Sequence, residues 1–155
     1  MNQQASETVI QKAVTVARPV EQAFRVFTEE IGTWWPLHTH AVDTENAKTA
    51  IMEGRVGGRL FERTSTGKEH VWGTIATWEP PHRVVYSWHP DREEETDQEV
   101  EVTFTPDGDG TRVEVRHYGW EKLGARMAEM MGGYDEGWDL VIGHYADTAN
   151  AGRSG

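Results

Sequence analysis

The stretch EVEVTFTPDGDGTRVEVRHYGW, from Glu99 to Trp120, decides the fold class. Apolar and polar residues alternate on both sides of its centre, as they do in strands that bury one face. The Asp-Gly-Asp-Gly segment between them has the composition of a tight turn. We therefore predict an antiparallel hairpin within a sheet that has one buried face. The residues on that face are Val100, Val102, Phe104, Val113, Val115 and His117.

Upstream segments show the same period of two and extend the sheet. The glycines of GRVGG mark a hairpin turn, and Pro80-Pro81 turns one strand into the next. Tyr86 and Trp88 share a face of the strand that follows this turn. The segments cover residues 8–16, 48–53, 59–64, 70–79 and 83–90.

Two parts of the chain have helical periodicity instead. After Pro19, apolar residues recur every three or four positions as far as Trp34, which predicts one helix that ends before Pro36. Near the C-terminus, a first helical row is expected to break at Gly132-Gly133. A final helix should follow. Its apolar stripe is Tyr134, Trp138, Val141, Ile142, Tyr145 and Ala149.

Composition narrows the function classes. The chain of 155 residues predicts one domain spanning 1–155, with a core of about 8–150 and a frayed tail at 151–155. It has no cysteine, which excludes disulfides and thiolate metal sites. Its net charge of -11 disfavours nucleic acid and anionic membranes as partners. No signal peptide is visible, so a cytoplasmic location is expected. The acidic run at 91–99 is interpreted as a solvated loop.

Several of these motifs occur together in one known superfamily. The Gly57-Gly58 hairpin precedes a Gly73-x-Ile75 strand, the Pro80-Pro81 turn leads to Trp88, and GDGTRVEVRHYGW precedes a Gly137-Trp138 pair. From about Val9 to Ala149, the chain resembles the SRPBCC superfamily of START-like proteins. Within it, the chain is similar to the branch named after activator of heat-shock-protein-90 ATPase homologues.

The resemblance implies an α+β helix-grip fold, in which a seven-stranded antiparallel sheet wraps around a long C-terminal helix. It also implies an internal apolar pocket, because members bind lipids, polyketides or other small hydrophobic molecules. Some members catalyse cyclisation or hydrolysis, and others are co-chaperones. We therefore expect a binding protein for a small hydrophobic or aromatic molecule. A cyclase or hydrolase acting on a polyketide-like substrate and a chaperone-interacting module are the alternatives.

A candidate ligand-binding set follows from the aromatic and methionine residues expected on the inner faces. Methionine adapts to irregular apolar surfaces, and tyrosines supply the few polar groups that orient an apolar ligand. Plain core packing is the alternative and explains many of the same residues, but the hydroxyl of a tyrosine is less easily satisfied in a fully closed core, which favours a cavity. The set is Trp35, Phe61, Trp72, Tyr86, Trp88, Phe104, His117, Met127, Met130, Trp138, Val141, Ile142 and Tyr145.

His117 is the most distinctive member of this set. It shares the register of Val113 and Val115, so its side chain should point inward. The interpretation as a satisfied core residue stands beside two others, a ligand contact and a general base. We assign no catalytic residue, because no nucleophile elbow, cysteine nucleophile or phosphate-binding glycine loop is present.

Two sequence patterns resemble metal sites. His38, His40 and Asp43 have suitable ligand types, but no fourth ligand can be assigned, and we interpret them as a polar loop. DGDGT resembles the start of a calcium loop, yet its twelfth position is Tyr118 and not Glu. We therefore expect no metal and no cofactor. The sequence leaves open the oligomeric state, a protein partner, and the faces occupied by Glu53, Arg55, Glu62 and Arg63.

Overall fold

The computed structural model describes residues 9–89, 98–120 and 127–151, with the backbone alone for 127–130. Within these ranges it contains a seven-stranded sheet and three helices. The strands are β1 (Ile10–Val16), β2 (Ala47–Met52), β3 (Arg59–Thr64), β4 (Glu69–Glu79), β5 (Arg83–Ser87), β6 (Glu99–Asp107) and β7 (Gly110–Tyr118). The helices are α1 (Val20–Thr28), α2 (Ile31–Trp34) and α3 (Met127–Ala151).

The sheet is antiparallel throughout and has the order β1-β7-β6-β5-β4-β3-β2. The hairpin predicted from the opening stretch is confirmed, since Val102 pairs with Val115 and the turn glycine Gly108 has a φ of 61°. α3 packs against β1, and Lys12 of that strand contacts Asp135 and Asp139 at 3.0 Å each. The architecture is therefore the α+β helix-grip fold, as expected.

Because side chains alternate between the two faces of a strand, one residue from each of five neighbouring strands lies in a row across the inner face. Ile75, Tyr86, Val100, His117 and Ile10 are successive cross-strand partners from β4 to β1. All five are buried. This row lies under α3, because the indole of Trp138 on that helix donates a hydrogen bond to the imidazole of His117. The candidate site is built on it.

Gly73 permits the closest backbone approach in this part of the sheet. A Cβ at this position would lie 1.7 Å from the carbonyl oxygen of Ser87. No side chain fits there, so β4 and β5 meet at a distance only glycine allows. The Ser87 hydroxyl also accepts a hydrogen bond from the amide of Thr74 at 2.9 Å.

The helices differ from the prediction at both ends of the chain. The predicted helix through Trp34 is two helices, because α1 ends at Thr28 and Glu30 leaves helical geometry with φ −104° and ψ 24°. The Thr28 hydroxyl donates to the Phe24 carbonyl, a bond that often bends helices. The predicted break at Gly132-Gly133 is wrong, because α3 continues through both residues. Two exposed glycines weaken a helix without ending it.

Candidate ligand-binding site

Five tryptophans form one packed group beneath α3. We call Trp34, Trp35, Trp72, Trp88 and Trp138 the tryptophan cluster. Trp35 is central, since its ring centroid lies 4.9 Å from that of Trp72, 5.7 Å from Trp34, and 6.2 Å from both Trp88 and Trp138. All five side chains are buried. Such rings give a large apolar surface with specific edge-to-face contacts.

Trp34 and Trp35 are adjacent in the chain, but the sequence predicts different positions for them. Trp34 continues the apolar row of the first predicted helix, and Trp35 belongs to the candidate ligand-binding set. The structure buries both, with Trp34 at 3% and Trp35 at 7% exposure. The indole nitrogen of Trp34 donates to the Val26 carbonyl, and that of Trp35 donates to the His40 carbonyl. Helix α2 and the loop after it are therefore tied to the aromatic interior.

His117 is fully buried next to the cluster. Its Nδ1 accepts a hydrogen bond from the Trp138 indole at 3.0 Å, and its Nε2 lies 2.9 Å from Oε1 of Gln98. The ring of Trp120 stacks at a centroid distance of 4.4 Å. Burial lowers the pKa of His117 to about 3, because the charged imidazolium would lose its hydration. The imidazole is therefore neutral at physiological pH, and both its nitrogens are engaged.

Among the described residues, two buried polar atoms on the inner face of β5 and of the chain entering β6 have no hydrogen-bond partner. They are the hydroxyl of Tyr86 and the amide nitrogen of Gln98. Tyr86 is fully buried and Gln98 is 1% exposed. Burial raises the pKa of the Tyr86 hydroxyl above its usual range, so it remains protonated. The Nε of Arg18, next to α1, is also buried and unpaired. Unpaired polar groups are rare in folded proteins, so each needs an explanation.

Sequence reasoning missed Gln98. The interpretation of 91–99 as a solvated loop is wrong at its end, because Gln98 is buried and Glu99 begins β6. Residues 90–97 lie outside the described residues. The signal was present, since counting back in steps of two from Phe104, Val102 and Val100 places position 98 on the inner face. The charged residues before it obscured this continuation.

Glu62 is a second buried residue that the sequence did not place. Its carboxylate accepts hydrogen bonds from the amides of Val42 and Asp43 at 2.6 and 2.8 Å, and from the Trp72 indole at 2.6 Å. The side chain is fully buried on the inner side of β3. It joins the loop after α2 to the tryptophan cluster. Three donors satisfy a charge that would otherwise be costly to bury.

The prediction for Phe61 is corrected by the structure. Phe61 points away from α3, and the guanidinium groups of Arg59 and Arg63 cover its ring at 4.2 and 5.5 Å. It is buried but does not belong to the apolar core. Aromatic character alone suggested an inner position, whereas the cationic side chains two residues to either side bury this ring on the outer face.

The same outer face carries an ion-pair ladder. Arg59 bridges Glu53 and Glu69 at 3.0 Å each, and Arg63 also contacts Glu69 at 3.0 Å. Arg55 extends toward solvent beside Glu53 at 3.6 Å. These contacts settle the faces that the sequence left open. Of the four residues in question, Glu62 alone faces inward.

The remaining residues of the predicted set lie in two regions. Phe104 packs against α1, with its ring 5.1 Å from Phe24. Tyr145 also faces α1, where its hydroxyl donates to the Ala23 carbonyl at 2.8 Å. Val141 and Ile142 are buried between α3 and the sheet, beside Trp138. The side chains of Met127 and Met130 lie outside the described part of the structure.

Two residues of the candidate metal pattern after α2, His40 and Asp43, make hydrogen bonds within their own loop. Nδ1 of His40 lies 2.6 Å from the Thr39 hydroxyl, and the Asp43 carboxylate accepts from Asn46. Across residues 9–89, 98–120 and 131–151, no group of three potential metal ligands is present. The DGDG segment is the turn between β6 and β7, as predicted. None of the helices in the described ranges is long and apolar enough to cross a membrane.

The gripped helix and enclosed aromatic interior define a START-like helix-grip protein of the SRPBCC superfamily. Within this class, the model of the family "Activator of Hsp90 ATPase homolog 1-like protein" matches residues 17–147. The chain belongs to this family, as its resemblance implied. No curated protein sequence matches the chain.

Solved structures support the same assignment. CalC from Micromonospora echinospora, a self-sacrificing resistance protein, is 26% identical over 92% of this chain and 94% of its own, with a TM-score of 0.67. The anthrahydroquino-gamma-pyrone synthase Txn09, solved in complex with SUM, is 33% identical over 89% and 85%, with a TM-score of 0.55. The Aha1 dimer from Colwellia psychrerythraea is 16% identical over 94% and 98%, with a TM-score of 0.64, and shows the fold alone.

Proposed function

We propose that the protein binds a small hydrophobic or aromatic molecule between α3 and the inner face of the sheet. The observation that carries this proposal is the Tyr86 hydroxyl, which is fully buried beside the tryptophan cluster without a hydrogen-bond partner. The ring of Trp88 lies 6.2 Å from that of Tyr86. An apolar ligand would find aromatic faces there and one polar group to orient it.

The unpaired hydroxyl of Tyr86 lowers the stability of the folded protein. Leaving a buried polar group unsatisfied costs about 1–3 kcal/mol. That cost is a sizeable part of the roughly 5–15 kcal/mol that stabilises a domain. Phenylalanine would fill the same space without it. A residue that only packed the core would gain nothing from the hydroxyl, whereas a residue that contacts a ligand would.

Two of the similar proteins support this proposal. Txn09 was solved in complex with SUM and is a synthase. CalC is a resistance protein, and it shares the fold at a similar length. Neither protein identifies the ligand of the present chain. Both are consistent with a scaffold whose function depends on its interior.

We propose binding ahead of catalysis because His117, the fully buried histidine of the inner face, is not free to act. A general base needs an accessible lone pair and a pKa near the working pH. In His117 the lone pair on Nδ1 is occupied by Trp138, and burial lowers the pKa to about 3. A chaperone-interacting role would use the outer surface. Among the described residues, the exposed large hydrophobic side chains are scattered at Val42, Val56 and Leu140.

The test uses the indole N–H signals of the tryptophans as position markers in 15N-correlated NMR spectra. The neutral planar probe 1-aminoanthracene is titrated into the 15N-labelled protein. We expect the signals of Trp88 and Trp138 to shift with a common saturating dependence on probe concentration. The signal of Trp78 should stay unchanged, because this residue packs against Phe24 at the α1 end. No binding, or shifts confined to Trp78, would contradict the proposal.

A pair of variants separates an inner site from a surface site. Trp88→Leu removes an aromatic face from the interior and should alter the affinity for the probe. Phe61→Leu makes a similar change on the outer face of the same sheet and should leave the affinity as it was. If the two variants behave alike, the probe does not bind between α3 and the sheet.

A further inference from the structure

Three side chains form a hydrogen-bond relay whose proton positions can be deduced. The Trp138 indole nitrogen carries a hydrogen and has no lone pair to offer, so it can only donate. It lies 3.0 Å from Nδ1 of His117, which must therefore accept. A neutral imidazole carries one N–H, and with Nδ1 accepting, that hydrogen is on Nε2. The tryptophan thus selects the tautomer of the histidine.

The tautomer in turn fixes the orientation of the Gln98 amide. Because Nε2 of His117 donates, the atom of Gln98 that lies 2.9 Å away must be an acceptor. Only Oε1 can accept, so the opposite orientation of the amide would place two donors against each other. The NH2 group must point elsewhere. It is buried and has no partner.

The Tyr86 hydroxyl lies on the same face of the sheet as this NH2 group. Tyr86 pairs with Val100, and Gln98 precedes Val100 by two residues, so the two side chains are diagonal neighbours. Diagonal neighbours are about 7–8 Å apart at Cα, within reach of one small functional group. The backbone amide of Trp88 donates to the Gln98 carbonyl at 3.0 Å and keeps β5 and β6 in register here.

We propose that Gln98 and Tyr86 form a neutral hydrogen-bonding pair that recognises the carbonyl oxygen of an uncharged, planar aromatic ligand, and that Trp138 positions Gln98 through His117. This inference rests on the proposed function, since it names the ligand class of the same interior site. Gln98 and Tyr86 are ligand-contacting residues. Trp138 and His117 are positioning residues.

The charges of the interior favour an uncharged ligand over an anionic one. The fully buried side chains among the described residues include Glu62 but no lysine or arginine. The guanidinium of Arg18, with its buried Nε, lies beside Gln22 of α1. His117 does not supply a positive charge, because its imidazole is neutral. A carboxylate would lose its hydration and meet another carboxylate in the same interior. A ketone or quinone oxygen needs only donors, which is what Gln98 and Tyr86 offer.

Three ligands with one tricyclic skeleton test this ligand class. They are 9-fluorenone, fluorene and fluorene-2-carboxylate, titrated into the full chain and followed by the indole N–H shifts. We expect fluorenone to bind about tenfold more tightly than fluorene, which corresponds to one net hydrogen bond. The carboxylate should bind more weakly than fluorene. In Gln98→Leu and in Tyr86→Phe, the ratio of the affinities for fluorenone and fluorene should fall toward unity.

Trp138→Phe tests the relay by removing the indole N–H while keeping an aromatic ring at this position. Loss of the indole N–H frees His117 to carry its proton on either nitrogen. The preference for fluorenone over fluorene, measured as the ratio of their affinities, should then fall severalfold. The 15N chemical shifts of the His117 ring should report the Nε2–H tautomer in the wild type and a mixture in the variant. Gln98→Leu provides the same test of carbonyl preference if Trp138→Phe does not fold.

The outcomes of these titrations distinguish a failure of the proposed function from a failure of this inference alone. If none of the three compounds binds, the proposed function fails together with this inference. If fluorene and fluorenone bind equally well, the proposed function stands and the inference is wrong. Unchanged preferences in Gln98→Leu and Tyr86→Phe would mean that water alone satisfies these groups, which also overturns it. An Nδ1–H tautomer in the wild type would refute the relay.

Discussion

Replacing Glu62 with glutamine tests how the loop after α2 is held against the interior. The carboxylate accepts from Val42 and Trp72 through Oε1, and from Asp43 through Oε2. Glutamine keeps the shape but has one oxygen. If that oxygen faces the two donors, its NH2 group faces the amide of Asp43, and one hydrogen bond is replaced by a contact between donors.

The expected loss can be built from these contacts. A hydrogen bond to a charged group contributes about 1.5–3 kcal/mol, and neutral hydrogen bonds are roughly half as strong. Losing one bond and weakening the other two should lower the free energy of unfolding by about 3 kcal/mol. The change should appear in the urea midpoint at pH 7 with an unchanged m-value. The Trp72 indole N–H signal should also move upfield as its acceptor loses charge.

The matched control is Glu69→Gln. Glu69 also contacts more than one donor group, but it lies on the outer face, where solvent screens its contacts with Arg59 and Arg63. Its substitution should change the midpoint far less than that of Glu62. If Glu62→Gln costs less than about 1 kcal/mol, the carboxylate does not hold the loop, and the assigned hydrogen bonds are not the source of its stability.

Three further predictions concern stability. Gly132→Ala and Gly133→Ala should each raise the free energy of unfolding by about 1 kcal/mol, because both positions are exposed within α3 and have space for a Cβ. A lower urea midpoint in these variants would show that the helix breaks there. Tyr145→Phe should lower the free energy of unfolding by about 1 kcal/mol, because its hydroxyl donates a hydrogen bond. Tyr86→Phe should leave the free energy of unfolding of the ligand-free protein unchanged or raise it, because its hydroxyl is unpaired. Equal losses in the two variants would mean that both hydroxyls are paired. The unfolded chain protonates His117 below about pH 6.5, whereas the folded protein does so only near pH 3, so this residue should contribute a stability loss of about 2 kcal/mol between pH 7 and pH 5. His117→Gln should lack that contribution in paired urea titrations, and identical pH profiles would contradict the buried neutral state.

The sequence predicted the sheet well because its strands are half-buried. Val100, Val102 and Phe104 alternate with polar residues, and this period leaves one choice of inner face. The helix boundaries were predicted less well. Gly132 and Gly133 looked like a stop, but the energetic cost of glycine in a helix is small enough for packing of the flanking turns to offset it.

The candidate site was predicted only in outline. The inward position of His117 followed from strand register, and burial confirms that position. Its hydrogen bonds to Trp138 and Gln98 join residues that are distant in the chain, and no local pattern contains them. Phe61 was misplaced because hydrophobicity does not distinguish a ring buried by apolar neighbours from one buried by guanidinium groups.

The spacing within the tryptophan cluster also has an optical consequence. Trp35 lies 4.9–6.2 Å from four other indoles, close enough for their excited states to interact. Light absorbed by one ring can be emitted by another, so the cluster should behave as one collective emitter with a strong near-ultraviolet circular dichroism signal. A molecule that touches any single ring would therefore dim the emission of several. If a ligand occupies the proposed site, the emission of the cluster should report its presence but not which ring it touches.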